Sequence, residues 1–300
     1  MELLQLYYFL QLANIQHVSR TAERLCISQP SLSATIKKLE NELGVPLFVR
    51  KGRSIALSPY GAAYKAYVED AFLSLDNGKQ TIAKMRGISD RRLVLGVLSP
   101  YIWNELFRHF AALHPEVVLS RYSIEDYHFM DDILTGKIDF YLGSINQVQP
   151  SDLPKLEYIT LYEDEMVLLV NTDHPLARQK EIDLRQCSNE PFINLDDSTR
   201  LQQFVNTIFA KAGFRPRVIM VCDYTLRDQM VAEGHGIAVT TRSSAQQTQV
   251  KNVTWLPITH PSEKRKLGLV WRRGKTFSDA MDRFYEVTCQ FYQDNPPSLS

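Results

Sequence analysis

The chain has 300 residues, which is too long for one ordinary hydrophobic core and predicts two or three domains. Net charge is formally zero, but residues 1–87 hold 11 basic and 7 acidic side chains, against 23 and 27 in the remainder. This imbalance predicts an anionic partner at the N-terminal end. The first residues contain Glu2 and lack a positive leader, so we expect no signal peptide, no membrane-spanning helix and a cytoplasmic protein.

The four cysteines are scattered and form no CxxC pair. Reduced, buried thiols are the expected state for such cysteines in a cytoplasmic protein. A redox switch between Cys187 and Cys222 is an alternative, although the sequence supplies neither a geometry nor an activating base.

Apolar residues recur at helical spacing from the first turn, which predicts a helix over about residues 2–14 and a shorter one over about 18–25. The expected inward positions of these two helices are Leu3, Leu6, Leu10, Ala13, Ala22 and Leu25.

A third helix is marked at both ends. Ser28 is a predicted N-cap, Pro30 lies in the first turn, where its missing N–H costs nothing, and Gly44 is a predicted C-terminal cap. One apolar stripe steps along it by four, three and four residues: Leu32, Ile36, Leu39 and Leu43.

The opposite face of this helix is polar, cationic and small in its first two turns. It holds Pro30, Ser33, Ala34, Lys37, Lys38 and Asn41, with Gln29 at the N-terminal tip of the helix. Such a face fits a DNA major groove, where Gln29 is long enough for base edges and Ser33 for a base or phosphate. The alternative is an ordinary solvated face.

A basic hairpin follows, with strands predicted over about 47–50 and 55–57 and a turn at 51–53. Arg50, Lys51 and Arg53 on this wing can lie against phosphates or reach a minor groove.

Residues 2 to about 66 resemble the LysR-type transcriptional regulators, through "LQLYYFLQLA", "TAERLCISQPSLSATIKKLENELGVPLFVR" and "LSPYGAAY". The resemblance implies a winged helix-turn-helix domain over 1–58 that binds double-stranded DNA. The candidate DNA-binding residues are Ser28, Gln29, Pro30, Ser31, Ser33, Lys37, Lys38, Arg50 and Arg53. The sequence departs from the family pattern at His17, Thr21 and Ala34, and Ala34 cannot hydrogen-bond a base.

Ser58 and Pro59 start another predicted helix, over 59–87. Its apolar positions follow a repeat of 3.5 residues: Tyr64, Val68, Ala71, Leu75, Gly78, Ile82 and Met85. This repeat is typical of a coiled coil or antiparallel helix pair and favours dimerisation, although the stripe could instead pack on its own domain. The resemblance implies a homodimer or homotetramer, with RNA polymerase as a further partner.

From Arg91 onward strands and helices alternate, which indicates an α/β architecture. Residues 91–300 resemble the two-lobed effector-binding domain of the same family, itself similar to periplasmic binding proteins, chiefly at "GKIDFYLGS" and "MVAEGHGIAV". The first lobe is expected over about 91–161 and 267–290, and the second over about 162–266.

Ligands of such folds bind in the crevice at strand ends, near helix N-termini that favour anions. The candidate effector-binding residues are Ser99, Pro100, Tyr101, Asn146, Ser198, Thr199, Arg200, Tyr224 and Thr225. Arg200 is the candidate partner for a carboxylate on a small-molecule effector. The alternative for each residue is an ordinary cap or turn role.

The sequence has no motif of a nucleotide-binding loop, a zinc protease or a serine hydrolase in a plausible structural context. Its histidines also lack the spacing that metal ligands show. We therefore predict no enzyme, no cofactor and no metal. Two alternatives stay open, namely a DNA-binding head fused to an enzyme-like domain and an architectural DNA-binding protein without ligand response.

Overall fold

The computed structural model of the chain describes residues 1–51, 54–87, 91–98, 102–123 and 129–294. The chain forms two compact units. The N-terminal unit contains the described residues up to 87, with the short segments Leu134–Gly136 and Gly274–Thr276, and the C-terminal unit contains the rest.

The N-terminal unit has three helices, a hairpin and a long fourth helix. These elements are α1 (Leu3–Ile15), α2 (Val18–Arg24), α3 (Gln29–Leu43), β1 (Phe48–Lys51), β2 (Ser54–Leu57) and α4 (Pro59–Met85). Phe9, Leu32, Leu39 and Leu47 are fully buried in its core. Because Gly61 starts α4 against the chain at Leu47, a Cβ there would lie 2.0 Å from the Leu47 carbonyl oxygen.

Two local predictions in this unit were wrong. Leu3 is 58 % exposed, whereas Phe9 is buried beside Leu6 and Leu10. Because α1 is apolar nearly all round, its periodicity does not select the inward face. Lys51 is the last residue of β1, paired with Ser54, rather than part of the turn.

The C-terminal unit alternates strands and helices, as predicted. Its strands are β3 (Arg92–Val97), β4 (Val118–Ser123), β5 (Phe140–Ser144), β6 (Leu156–Asn171), β7 (Ile182–Asp183), β8 (Pro191–Leu195), β9 (Arg217–Cys222), β10 (Ala238–Thr241), β11 (Val253–His260) and β12 (Lys264–Arg272). Its helices are α5 (Asn104–Leu113), α6 (Phe129–Leu134), α7 (Arg200–Ala212), α8 (Tyr224–Ala232), α9 (Arg242–Gln247) and α10 (Asp279–Asp294). Leu113 is the last residue of α5 and is exposed.

Within the described residues, eight strands form one sheet in the order β4-β3-β5-β12-β6-β11-β7, with β10 also paired to β6. Strands β8 and β9 form a separate parallel pair. The long strands β6 and β12 are antiparallel, and their register shifts between Leu267 and Gly268. A Cβ at Gly268 would lie 2.2 Å from the Ile159 carbonyl oxygen, so this irregularity requires glycine.

The parallel strands set the edges at which functional side chains meet. Strand β3 runs parallel to β5, and β8 runs parallel to β9 with Leu195 opposite Cys222. The segments that follow β3 and β5 therefore leave one edge together, and so do those that follow β8 and β9.

Candidate nucleic-acid interface and candidate ligand cleft

The ends of α3 are fixed by the residues that the sequence predicts. The Ser28 hydroxyl accepts a hydrogen bond from the Ser31 amide at 3.3 Å, and Pro30 lies in the first turn. Gly44 closes the helix with φ of 72°, a left-handed conformation that glycine adopts without strain. Leu32, Ile36 and Leu39 are buried, which confirms the predicted inward stripe.

The opposite face of α3 is open to solvent. All nine of these residues are exposed: Ser28, Gln29, Pro30, Ser31, Ser33, Ala34, Lys37, Lys38 and Asn41. The Lys38 ammonium lies 3.2 Å from a carboxylate oxygen of Glu2, so its charge is partly compensated. In the part of the chain that the structure describes, Lys37 has no ion-pair partner, which leaves it available to an incoming phosphate.

Hydrogen bonds at the start of α2, the helix before α3, account for two departures from the family pattern, His17 and Thr21. His17 is the N-cap of α2, and its Nδ1 accepts a hydrogen bond from the Arg20 amide at 3.4 Å. Thr21 is buried, and its hydroxyl donates to the His17 carbonyl oxygen at 2.9 Å. His17 therefore caps α2 with a ring nitrogen, as a serine hydroxyl would at an N-cap.

Glu40 connects α3 to the hairpin. One of its carboxylate oxygens accepts from the Leu47 amide at 2.7 Å and from the Phe48 amide at 3.1 Å. This fixes where β1 leaves α3 and presents Arg50, which is exposed on that strand. Arg53, the other arginine predicted on the wing, lies outside the described residues.

Helix α4 divides its apolar stripe between two environments. Val68 is buried in the core of the N-terminal unit, and Tyr64 packs beside it. Further along, Leu75, Ile82 and Met85 are exposed, and Ile82 retains 58 % of its accessible surface. The first part of the stripe thus packs on its own unit, and the rest is left uncovered within the protomer.

The predicted ligand-binding residues lie at the strand ends, and most of those described have local partners. Asn146 follows β5, and its Oδ1 accepts from the Lys266 amide at 2.6 Å. Thr199 is the N-cap of α7, accepting from the Gln202 amide at 3.2 Å. Hydrogen bonds from the Ser198 side chain and amide hold the pKa of the Asp196 carboxyl below its usual value. Ser99, Pro100 and Tyr101 lie outside the described residues.

Asn146 and Arg200 both line a cavity of about 280 Å³, which we call the first cavity. Its described lining is Asn146, Val148, Gln149, Pro150, Arg200, Gln203, Phe204 and Thr207. Arg200 is only 7 % exposed, and its guanidinium lies 5.5 Å from the centre of the Phe129 ring. Phe129 in turn stacks on Tyr141, and burial raises the pKa of the Tyr141 hydroxyl to about 12.

Tyr224 and Thr225 line another cavity, of about 230 Å³, which we call the second cavity. Its described lining is Ile102, Tyr224, Thr225, Arg227, Asp228, Ser244, Gln247, Thr248, Gln249 and Val250. Asp223 caps the helix behind it, accepting from the Leu226 amide at 2.9 Å. Four of the predicted ligand residues therefore fall into two cavities that share no lining residue, whereas Ser198 and Thr199 line neither of these cavities.

Sequence reasoning missed the buried ion pair between Arg227 and Asp228. Arg227 is 1 % exposed, and its Nε and Nη2 donate to Asp228 Oδ1 at 2.9 and 2.8 Å. Two adjacent charged residues in a helix ordinarily indicate a solvated face, so no local signal reveals this pair.

Cys187 and Cys222, the two cysteines considered for a redox switch, are poorly placed for redox chemistry. Burial raises the pKa of the Cys187 thiol to about 12 and also raises that of Cys222. The thiolate is the reactive form, so both cysteines are weak nucleophiles. Among the described residues, no group of histidine, cysteine and carboxylate side chains could hold a metal ion, and no helix is long and apolar enough to cross a membrane.

Comparisons with known proteins agree with this division of the chain. Residues 3–62 match the family model described as a bacterial regulatory helix-turn-helix protein of the lysR family, and residues 88–290 match the LysR substrate binding domain. The chain is 29 % identical over 299 residues to the uncharacterized HTH-type transcriptional regulator YybE of Bacillus subtilis, covering 98 % of this chain and 100 % of that one.

It is also 29 % identical over 283 residues to the Hca operon transcriptional activator HcaR of Escherichia coli, covering 92 % of this chain and 93 % of that one. Among solved structures, a full-length OxyR variant from Pseudomonas aeruginosa is similar, with a TM-score of 0.67, 23 % identity and coverage of 98 % and 95 %. These matches confirm the fold class predicted from the sequence, a helix-turn-helix domain followed by an α/β ligand-binding domain.

Proposed function

Because the chain belongs to the LysR family of DNA-binding transcriptional regulators with an effector-binding domain, we propose that it reads an interrupted palindromic operator as a homo-oligomer and responds to a small effector. The observation that carries this proposal is the exposed, capped face of α3 beside a basic hairpin. Its relatives are transcriptional regulators, and we propose that this chain likewise acts on DNA in the cytoplasm and is not an enzyme.

The N-terminal end of α3 enters the major groove in this proposal. Gln29 reads base edges, while Lys37 and the wing residues Arg50 and Arg53 contact phosphates. Ser28, Pro30, Ser31, Ser33 and Lys38 complete the contact surface. Support comes from the exposure of every described member of this set.

The exposed part of the α4 stripe serves dimerisation. Leu75, Ile82 and Met85 leave an apolar surface that a second copy of the helix would cover. A single reading head contacts few base pairs, so paired heads on two half-sites are needed for useful specificity. Dimers that pair into tetramers, and contact with RNA polymerase, are further elements of the proposal.

The effector occupies the strand-end cleft, and its carboxylate binds at the first cavity. Arg200 is the only charged residue in the described lining of that cavity, which favours an anionic group there. We expect effector binding to change how the paired heads are spaced on DNA. An effector that left both DNA bending and half-site spacing unchanged would contradict this coupling.

Selection of bound duplexes from a random pool by the full-length protein tests the proposal. The salt concentration must be fixed because affinity for DNA depends steeply on it. Recovery of an interrupted palindrome would support a dimeric sequence reader. Binding without any recovered motif would favour an architectural DNA-binding protein instead.

A further inference from the structure

The backbone of Leu47, at the entrance to the wing, is held from two sides. Its amide donates to Glu40 Oε1 on α3 at 2.7 Å, and its carbonyl oxygen accepts from the amide of Ser58, the N-cap of α4, at 2.9 Å. Leu47 is 1 % exposed, and a Cβ at Gly61 would lie 2.0 Å from that carbonyl oxygen. Within the N-terminal unit, the chain that starts the wing is therefore fixed to both α3 and α4.

The residues on either side of Leu47 are held by the same two side chains. Glu40 Oε1 also accepts from the Phe48 amide at 3.1 Å, and the Ser58 hydroxyl donates to the Pro46 carbonyl oxygen at 2.6 Å. A two-stranded hairpin alone is marginally stable in water, so its position has to come from contacts of this kind. Hydrogen bonds to a carboxylate are stronger than those between neutral groups, so Glu40 contributes a strong link between α3 and the wing.

Glu40 lies beside the residues of α3 that are proposed to contact DNA. Ser33, Lys37 and Glu40 follow one another by four and three residues, so they line up along one side of the helix. A carboxylate in that row would repel a phosphate if it faced the DNA. Glu40 is half-buried, and its Oε1 binds two backbone amides of the wing. Its position therefore favours a role other than direct contact with DNA.

The two anchored amides also determine where the wing arginine stands. Arg50 lies two residues beyond Phe48 on β1, which is about 7 Å along an extended strand. Arg50 is exposed and pairs in the hairpin with Ile55, which packs against the core of the N-terminal unit. The reach of Arg50 from α3 is thus set by a short, anchored piece of backbone.

We propose that Glu40 is a positioning residue for DNA binding, because it fixes the wing against α3 so that Arg50 and Lys37 meet phosphates as one rigid surface. The inference rests on the phosphate contacts proposed above for these two residues. Glu40 does not touch DNA and acts through the amides of Leu47 and Phe48. A wing that is already fixed loses less conformational entropy on binding than a mobile one, and this gain is the contribution of Glu40.

Substitutions of Glu40 separate positioning from charge. The full-length protein is titrated with a random-sequence duplex at several salt concentrations, with fluorescence anisotropy as the signal. Glu40→Ala removes both hydrogen bonds, and we expect affinity to fall by about fivefold or more and the salt slope to fall by about one. Glu40→Gln keeps a carbonyl acceptor but removes the charge, so it should bind at least as tightly as the wild type. Removal of negative charge alone would instead strengthen binding in both variants.

A double substitution tests whether Glu40 acts through Arg50. Arg50→Ala alone should weaken binding, but in the Glu40→Ala background it should cost less than about twofold more, since the effects of coupled residues do not add. Glu42→Ala is the matched control, because it removes another carboxylate of α3, one that is paired with the N-terminal amine, and should not weaken binding. Amide hydrogen exchange at Leu47 and Phe48 should be faster in Glu40→Ala. Thermal unfolding confirms that each variant is folded at the assay temperature.

Three results would each overturn the proposal. They are unchanged or tighter DNA binding in Glu40→Ala, a loss in Glu40→Gln as large as that in Glu40→Ala, and additive losses for Glu40→Ala and Arg50→Ala. A loss of stability in Glu40→Ala without any change in DNA binding would show a purely structural role and belongs to the first of these. Failure of the proposed wing contact looks different, because Arg50→Ala alone would then leave affinity and salt slope unchanged, and the positioning role would fall with that contact.

Discussion

The exposed polar face of α3 and the second cavity both contain cationic side chains, but in opposite environments. Lys37 is exposed, and within the described residues it has no ion-pair partner. Arg227 is 1 % exposed and bound to the adjacent Asp228. An exposed charge can replace its bound water with a phosphate at little cost to the stability of the fold. A buried charge cannot be changed without affecting that stability. Function and stability are therefore separable in the N-terminal unit and coupled in the cavity.

Thiol chemistry gives the largest expected difference between the two environments. Cys26 is exposed in the turn before α3, whereas Cys187 is buried and its pKa is raised to about 12 from an ordinary value of 9.0. A pKa higher by about three units lowers the thiolate fraction near neutral pH roughly a thousandfold. We expect Cys26 to react with a thiol reagent much faster than Cys187, because Cys26 is exposed whereas Cys187 is buried and its thiol pKa is raised; stopped-flow absorbance measures the two rates. Loss of the fast phase in Cys26→Ser is the control, and rapid labelling of Cys187 in the folded protein would contradict the contrast.

Removing one member of the buried pair is expected to destabilise the C-terminal unit. Asp228→Ala leaves the Arg227 guanidinium buried without its carboxylate, which typically costs about 3–5 kcal/mol. Urea unfolding of the full chain, followed by a probe in this unit, measures the loss. The matched control is Glu233→Ala, which removes an exposed carboxylate at the end of the same helix and should change the free energy of unfolding by less than about 0.5 kcal/mol. Equal effects of the two substitutions would show that the Asp228 pair is not structural.

Substitutions on α3 are expected to change DNA recognition and leave stability unchanged. Gln29→Ala should cost about 1–3 kcal/mol on the selected operator and relax base preference at one position. Lys37→Ala should weaken binding to specific and random DNA alike and reduce the salt slope by about one. Binding titrations at several salt concentrations measure both effects. Equal losses on operator and random DNA for Gln29→Ala would refute its role as a base reader.

The sequence predicts α3 well because every signal for this helix is local. Ser28, Pro30 and Gly44 mark the ends of one helix, and the spacing of Leu32, Ile36 and Leu39 selects its buried face. Where a helix is apolar on most sides, as α1 is, the same spacing fails, and Leu3 proves exposed.

The ligand cleft is less predictable because it is assembled from segments that follow strands of two different sheets. Asn146 and Arg200 line one cavity although they lie 54 positions apart in the sequence. Asn146 follows β5 of the large sheet and Arg200 follows β8 of the separate pair, and the sequence does not show how these strands are arranged. Burial of Arg227 is also invisible locally, since its partner is another charged residue and its neighbours in α8 are mixed. Prediction therefore succeeds for the ends of single elements and for helices with one apolar face, and is weaker for the burial of charged residues and for contacts between distant segments.

The smallest effect concerns the cap that starts the reading helix. Ser28→Ala removes the hydroxyl that accepts from the Ser31 amide, and loss of an N-cap costs about 1 kcal/mol. Ser33→Ala is the matched control, because Ser33 lies one turn further along α3, is exposed and makes no hydrogen bond through its side chain within the described chain. We expect thermal unfolding to show destabilisation in the first variant and none in the second. If Ser28→Ala also weakened operator binding at temperatures where the protein is fully folded, the hydroxyl would contribute to the DNA contact as well as to the helix. Unchanged stability in Ser28→Ala would mean that solvent satisfies the first turn equally well and that Pro30 alone sets where α3 begins.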